Sequence, residues 1–173
     1  MTKMETESRL ERMIARLATQ RALLNWAAEQ VAGIDGPVLE IGLGKGRTYS
    51  HLRRLFPDRE IWAFDHEVHA PAHSRPAPGR ILLGDFRETL PACWTEVGAP
   101  LALVHADIGT ESRRADATLA QFVGSAMAPR LAPGGLLLGD RDMGCTGLIR
   151  LETPAVALPE GIAPWPYFVY ERA

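Results

Sequence analysis

The sequence predicts an α/β fold built on an open, mostly parallel sheet, and three observations carry that prediction. Short apolar runs alternate with segments of helical period, in the βα manner. Five of those runs end in a carboxylate: VLE at Glu40, IWAFD at Asp65, ILLGD at Asp85, LALVHAD at Asp107 and GLLLGD at Asp140. A glycine-rich segment, Glu40-Ile41-Gly42-Leu43-Gly44-Lys45-Gly46-Arg47-Thr48, lies where the first strand gives way to a helix. In such a sheet ligands sit beyond the carboxyl ends of the strands, so acids placed there by successive strands converge on one ligand. That ligand should be cationic or rich in hydroxyl and amino donors.

From Thr6 to Gly33 the apolar residues Leu10, Met13, Ile14, Leu17, Leu24, Ala28 and Val31 share one helical face, and Gly33 with Asp35-Gly36-Pro37 stops the helix. Val38 to Ile41 reads as the first strand. A helix follows from Thr48 to Phe56, closed by Pro57-Asp58. Ile61 to Asp65 and Arg80 to Asp85 read as the next two strands. Between them, Pro71, Pro76 and Pro78 forbid a long crossover helix and leave a loop with at most a turn of helix. Leu101 to Asp107 is a further strand. The spacing of Ala115, Thr118, Leu119, Phe122, Val123, Ala126 and Met127 is helical, and Leu131-Ala132-Pro133-Gly134-Gly135 then turns into a strand from Leu136 to Asp140. Two β-like runs, Ala155 to Leu158 and Tyr167 to Glu171, complete the chain.

With 173 residues, 46% apolar and 23% charged, the chain fits one domain, residues 1–173, of which 1–36 form an N-terminal helical segment. The net charge of −2 supplies no basic field for a polyanion, so no nucleic-acid partner is expected. Cys93 and Cys145 are far apart and outside any CxxC, which suits reduced thiols in the cytoplasm. No apolar run approaches a membrane span, so no membrane partner is expected either. The apolar face of the N-terminal helix and an aromatic tail at Trp165, Tyr167, Phe168 and Tyr170 predict a homo-oligomer.

The glycine loop fails two nucleotide motifs. A dinucleotide fingerprint, G-x-G-x-x-G/A, needs a small residue where Arg47 stands, and a phosphate-binding P-loop needs Lys-Ser/Thr where the chain has Lys45-Gly46. Gly42, Gly44 and Gly46 instead form an alternating glycine turn that lets a ligand approach the backbone. With its leading acid, Glu40-x-Gly42-x-Gly44-x-Gly46, the loop resembles the first motif of the class I S-adenosylmethionine-dependent methyltransferases, here of a small single-domain bacterial type. Asp65 and Gly84-Asp85 at the next strand ends extend the resemblance, and Leu-x-Pro-Gly-Gly is a turn that family commonly has before its fifth strand.

The resemblance implies a three-layer, Rossmann-like methyltransferase fold with a C-terminal antiparallel strand pair, formed here by the two tail runs, and S-adenosyl-L-methionine as cofactor. It implies that Gly42, Leu43, Gly44 and Gly46 face the methionine part of the cofactor, with Glu40 beneath, near its ammonium group. Arg47 and Thr48 are placed to favour its carboxylate at a helix start. Asp65 takes the ribose hydroxyls and His66 packs on the adenine. Gly84, Asp85 and Phe86 meet the adenine, Asp85 accepting from its amino group. Asp107 and Ile108 lie at the border of cofactor and acceptor, and if a general base is used, Asp107 is the first candidate and His66 the second.

After the fourth strand the chain reads Asp107-Ile108-Gly109-Thr110, without the Pro-Pro-Tyr motif of nucleic-acid amino methyltransferases, so a small-molecule acceptor is expected. A cofactor-binding regulatory protein without transferase activity and an NAD-dependent oxidoreductase stand as alternatives. His66, His69 and His73 near Glu67 read as solvated surface, and no metal is expected. His105, inside an apolar strand, reads as a hydrogen-bonded core histidine.

Overall fold

The computed structural model of the chain describes residues 8–98, 100–110 and 112–173. Helix α1 spans Arg9–Gln30. It starts with a capping box: the Glu11 amide donates to Ser8 Oγ at 3.1 Å, and the Ser8 amide donates to Glu11 Oε2 at 2.8 Å. The expected first residues of this helix, Thr6 and Glu7, lie outside the described residues. Four strands follow in a βα rhythm: β1 (Val38–Ile41), β2 (Ile61–Asp65), β3 (Ile81–Leu83) and β4 (Leu101–Ala106). Helix α2 (Arg47–Leu55) joins β1 to β2. Helices α3 (Phe86–Ala92) and α4 (Trp94–Val97) join β3 to β4, and α5 (Arg113–Met127) leads to β5 (Leu131–Gly139). Strands β6 (Leu148–Arg150) and β7 (Phe168–Arg172) close the chain.

The seven strands form one sheet in the order β3-β2-β1-β4-β5-β7-β6. Strands β1 to β5 pair in parallel and β7 runs antiparallel to both β5 and β6. Side chains alternate across the sheet, so each face has its own core. On one face Leu39, Phe64, Val104 and Leu137 pack with Leu90 of α3 and Val123 and Met127 of α5. On the other, Val38, Ala63, Leu103 and Leu138 pack with Leu23, Leu24 and Ala27 of α1 and Leu52 of α2. These two cores make the three layers expected of the resemblance.

Three details differ from the sequence reading. The partner of the last strand is β6, because Ala155 to Leu158 forms no strand: Pro154, Pro159, Pro164 and Pro166 remove donors that a sheet needs. The Leu131-to-Gly135 turn lies inside β5, where the pairing with β4 jumps from Leu101–Leu131 to Leu103–Leu136. That bulge absorbs Pro133-Gly134-Gly135, and Gly134 takes a φ of +75° there. Helices α3 and α4 had no sequence signal strong enough to read, since Pro91 interrupts the first of them. Between β2 and β3 only one turn of helix forms, at Ala72–Ser74, as the prolines require. It supports the glycine loop: Ser74 is buried, and its hydroxyl donates to the Lys45 carbonyl at 3.3 Å.

Candidate active site

The carboxyl ends of β1, β2 and β4 open on one cleft of about 380 Å³. The glycine loop forms one side through Gly42, Leu43, Gly44 and Lys45, continued by Arg47 and Thr48 at the start of α2. Asp65, His66 and Phe86 form one end. Asp107, Ile108, Gly109 and Thr110 after β4 form the other side, and α1 covers it with Met13, Arg16, Leu17 and Gln20. Glu40, Gly46, Gly84 and Asp85 stand outside these walls.

Each glycine of the loop serves a separate purpose. A Cβ at Gly42 would come within 2.2 Å of the Asp107 carbonyl, so this glycine allows the ends of β1 and β4 to close together. A Cβ at Gly46 would meet the Ser74 carbonyl at 2.4 Å, so Gly46 seats the proline loop. At Gly44 a Cβ would meet nothing within 4 Å; its φ is +49° and its side faces the cleft. Helix α2 begins after Gly46 with no side-chain cap, which leaves first-turn amides available to a ligand.

The acids divide in the same way. Asp65 is oriented by two amides, Gly44 N–H donating to Oδ2 and His66 N–H to Oδ1, each at 2.7 Å. Both oxygens keep lone pairs free toward the cleft. The rings of His66 and Phe86 lie 5.5 Å apart and tilted, forming an aromatic end wall. Asp107 is bonded through both oxygens to α1, by an ion pair with Arg16 and by Gln20 Nε2 at 3.0 Å. With both oxygens taken up by Arg16 and Gln20, Asp107 is placed to position α1 over the cleft. Asp85 caps α3, accepting from the Arg87 amide at 2.7 Å, at the outer edge of the site.

Glu40 is fully buried and lies behind the cleft walls. Thr48 Oγ1 donates to its Oε1, and His105 Nδ1 donates to its Oε2 at 2.6 Å. His105, also fully buried, meets the Tyr167 hydroxyl through Nε2. A continuous polar chain therefore runs from Thr48 of α2 through Glu40 and His105 to Tyr167. Burial alone would push the His105 imidazole down, but Glu40, Asp107 and Asp140 around it outweigh that and hold its pKa above the usual histidine value. Burial, followed by the nearby charge of Asp107, raises the Asp140 carboxyl; Asp140 accepts from the Ile108 amide at 3.1 Å and the Gly109 amide at 3.2 Å and so shapes the wall after β4.

A folded pKa above the unfolded one means stability that is fully present below about pH 6.5 and is lost as pH rises through the folded value. Thermal melts of the parent and of His105→Gln should therefore draw together as the pH rises above about 6.5. A gap that widens over that range would show that the buried imidazole is neutral.

Arg16 and Gln20 were not legible as site residues. They interrupt the apolar stripe of α1 four residues apart, but nothing local links them to an aspartate 91 and 87 positions away. Among the described residues, no group of three or more His, Cys, Asp or Glu side chains is arranged to hold a metal ion.

A family model described as S-adenosyl-L-methionine methyltransferase matches residues 7–172. The chain belongs to this family. The methyltransferase also resembles the crystal structure of an S-adenosyl-L-methionine methyl transferase from Silicibacter pomeroyi DSS-3, with 41% identity over 96% of this chain and 99% of that one, and a TM-score of 0.83. More distant structures share the fold. TrmN from Thermus thermophilus is 18% identical over 92% of this chain and 53% of its own, with a TM-score of 0.60. An rRNA methylase from Streptococcus thermophilus is 14% identical over 86% of this chain and 96% of its own, with a TM-score of 0.52. No curated protein matches. The methyltransferase is thus an enzyme of the class I type with S-adenosyl-L-methionine as cofactor, which sets aside the NAD-dependent and non-enzymatic alternatives.

Proposed function

We propose that the methyltransferase modifies a small-molecule acceptor, held between α1 and the residues that follow β4. The observation that carries this reading is the bond of Asp107 to Arg16 and Gln20, which draws α1 across the acceptor side and confines the cleft. A net charge of −2 supports it.

The residues present suit the cofactor. A cleft of about 380 Å³ is of the size that small ligands occupy. Gly42, Leu43 and Gly44 would line its methionine part, and the open space at Gly44 leaves room for it. The first-turn amides of α2 at Arg47 and Thr48 would favour its carboxylate. Asp65, already oriented by two amides, would accept from both ribose hydroxyls, and His66 and Phe86 would flank the adenine, with Asp85 at the rim toward its amino group. Ile108 and Asp107 would mark the border with the acceptor. Glu40 and Gly46 would act from behind, by holding the loop.

When bound, the cofactor supplies an electrophilic methyl group on a positively charged sulfur. The task of the chain is then to align the acceptor with that methyl group and to exclude water, for which no strong base is required. Asp107 would position, through Arg16 and Gln20, the lid that α1 forms; if a base is used, Asp107 and then His66 are the cleft residues to supply it.

Calorimetric titration should show binding of S-adenosylmethionine and S-adenosylhomocysteine and none of NAD, and an acceptor screen should give turnover. Tighter binding of NAD would overturn the reading. In Asp107→Asn, cofactor affinity should change less than turnover does; equal loss in affinity to that of an Asp65 variant, with turnover at saturating cofactor unchanged, would make Asp107 a cofactor ligand only.

A homo-oligomer assembled through α1 belongs to the same proposal, supported by the exposure of Leu10 (69%) and Ile14 (43%), one turn apart and outside the walls of the cleft. A monomer in light scattering at tens of micromolar, about the range where weak dimers dissociate, would count against it. A cytoplasmic, one-domain enzyme is the reading that free Cys93 and Cys145 support; no helix of the described residues is long and apolar enough to cross a membrane.

A further inference from the structure

The cleft does not stop at α1. Two further recesses continue from it over the helix and toward the C-terminal segment. One, of about 220 Å³, shares Met13 and Arg16 with the cleft and adds Arg9, Arg12 and Trp165. The other, of about 670 Å³, shares Thr110 with the cleft and shares Arg12 and Trp165 with the first recess. It also contains Arg113 and Arg141. The groove is built rather than incidental: the Trp165 amide donates to Thr19 Oγ1 of α1 at 2.9 Å, and the Arg12 guanidinium lies 5.6 Å from the centre of the Trp165 ring.

Its charge differs from that of the whole molecule. The acids along it among the described residues are already matched. Asp107 pairs with Arg16, Asp140 with Arg141, and Asp142 with Arg150. Arg9, Arg12 and Arg113 have no ion-pair partner among the described residues, and all three are exposed. A chain of net charge −2 thus gathers at the mouth next to the acceptor border three guanidinium groups that have no ion-pair partner among the described residues. Guanidinium groups recognise planar carboxylates and phosphates through paired donors, and Trp165 with Met13 offers apolar surface beside them.

We infer that the acceptor of this methyltransferase is a small anion, carrying a carboxylate or a phosphate that Arg12 and Arg113 bind while the rest of the molecule reaches the cleft. This rests on the small-acceptor reading above and specifies the chemistry of the acceptor. The groove is bounded by α1, the start of α5 and the C-terminal segment, and the few unpaired cations described along it favour one anionic group over a polymer of them.

The test uses the protein saturated with S-adenosylhomocysteine and four probes: benzoate, phenyl phosphate, neutral benzamide and a single-stranded RNA oligonucleotide. Benzoate or phenyl phosphate should bind saturably and at least about tenfold more tightly than benzamide, and the stronger of the two identifies which anion the site prefers. The double variant Arg12→Gln, Arg113→Gln should lose that binding by at least about tenfold while its affinity for S-adenosylhomocysteine stays within about twofold. The matched variant Arg12→Lys, Arg113→Lys, which keeps the charge, should retain part of it. Benzamide binding as well as benzoate, or an unchanged anion affinity in the glutamine variant, would overturn the inference. So would oligonucleotide binding at least about a hundredfold tighter than either anion with a steep salt dependence, which would make the groove a polyanion track. Failure of S-adenosylhomocysteine to bind the parent protein is a separate result and would overturn the cleft assignment itself.

Discussion

Gly44→Val should abolish measurable binding of S-adenosylmethionine and S-adenosylhomocysteine in a protein that still folds. The space beside Gly44 is open to about 4 Å and belongs to the cleft, so a branched side chain there fills volume that the ligand needs rather than volume used by the core. The backbone at Gly44 has a φ of +49°, and placing valine there costs about 1–2 kcal/mol. That is a minor share of the roughly 5–15 kcal/mol by which folded proteins are stable. Binding, by contrast, should fall by more than about a hundredfold, or about 2.7 kcal/mol. Gly42 offers no such clean test, because a Cβ there would meet the Asp107 carbonyl at 2.2 Å and part the ends of β1 and β4. Calorimetry on a variant of normal circular dichroism decides the matter: retained affinity would show that the loop is not the site.

Asp65→Ala is expected to weaken cofactor binding by about 2 kcal/mol, one to two orders of magnitude. The carboxylate is held in place before any ligand arrives, by the amides of Gly44 and His66. Its loss would leave two ribose hydroxyls without a bidentate acceptor and release the two amides that orient the loop. Turnover at saturating cofactor should fall much less than affinity, since Asp65 is at the adenosine end of the cleft, beside His66 and Phe86. An affinity within about threefold of the parent would rule out the ribose role.

These two residues were also the most legible. Asp65 closes an apolar run, and Gly44 lies at the centre of an alternating glycine turn; both signals are local, because a strand end and a turn are determined by their own residues. Asp107 was legible as a strand-end acid but not in its bonding. Its partners lie on a helix some 90 positions earlier, and no local pattern announces a pairing over that distance. The partner of Glu40 was hidden for a related reason. The position of Glu40 before the glycines is compatible with a ligand-facing or a core-facing carboxylate, and its pairing depends on His105 arriving beside it from β4, opposite in the parallel register.

By itself the sequence determined the parallel α/β order, the end of the sheet at which the cleft opens, the glycine turn and the absence of a long helix between β2 and β3. Period, turn chemistry and proline geometry are all written within a few residues of where they act. Only the tertiary structure decided that α1 would close the cleft, that Glu40 would pair with His105, and that β6 rather than Ala155 to Leu158 would join β7. Those outcomes depend on which side chains meet across the sheet, where burial leaves a charge such as Glu40 no stable state without a partner, and a partner can come from anywhere in the chain.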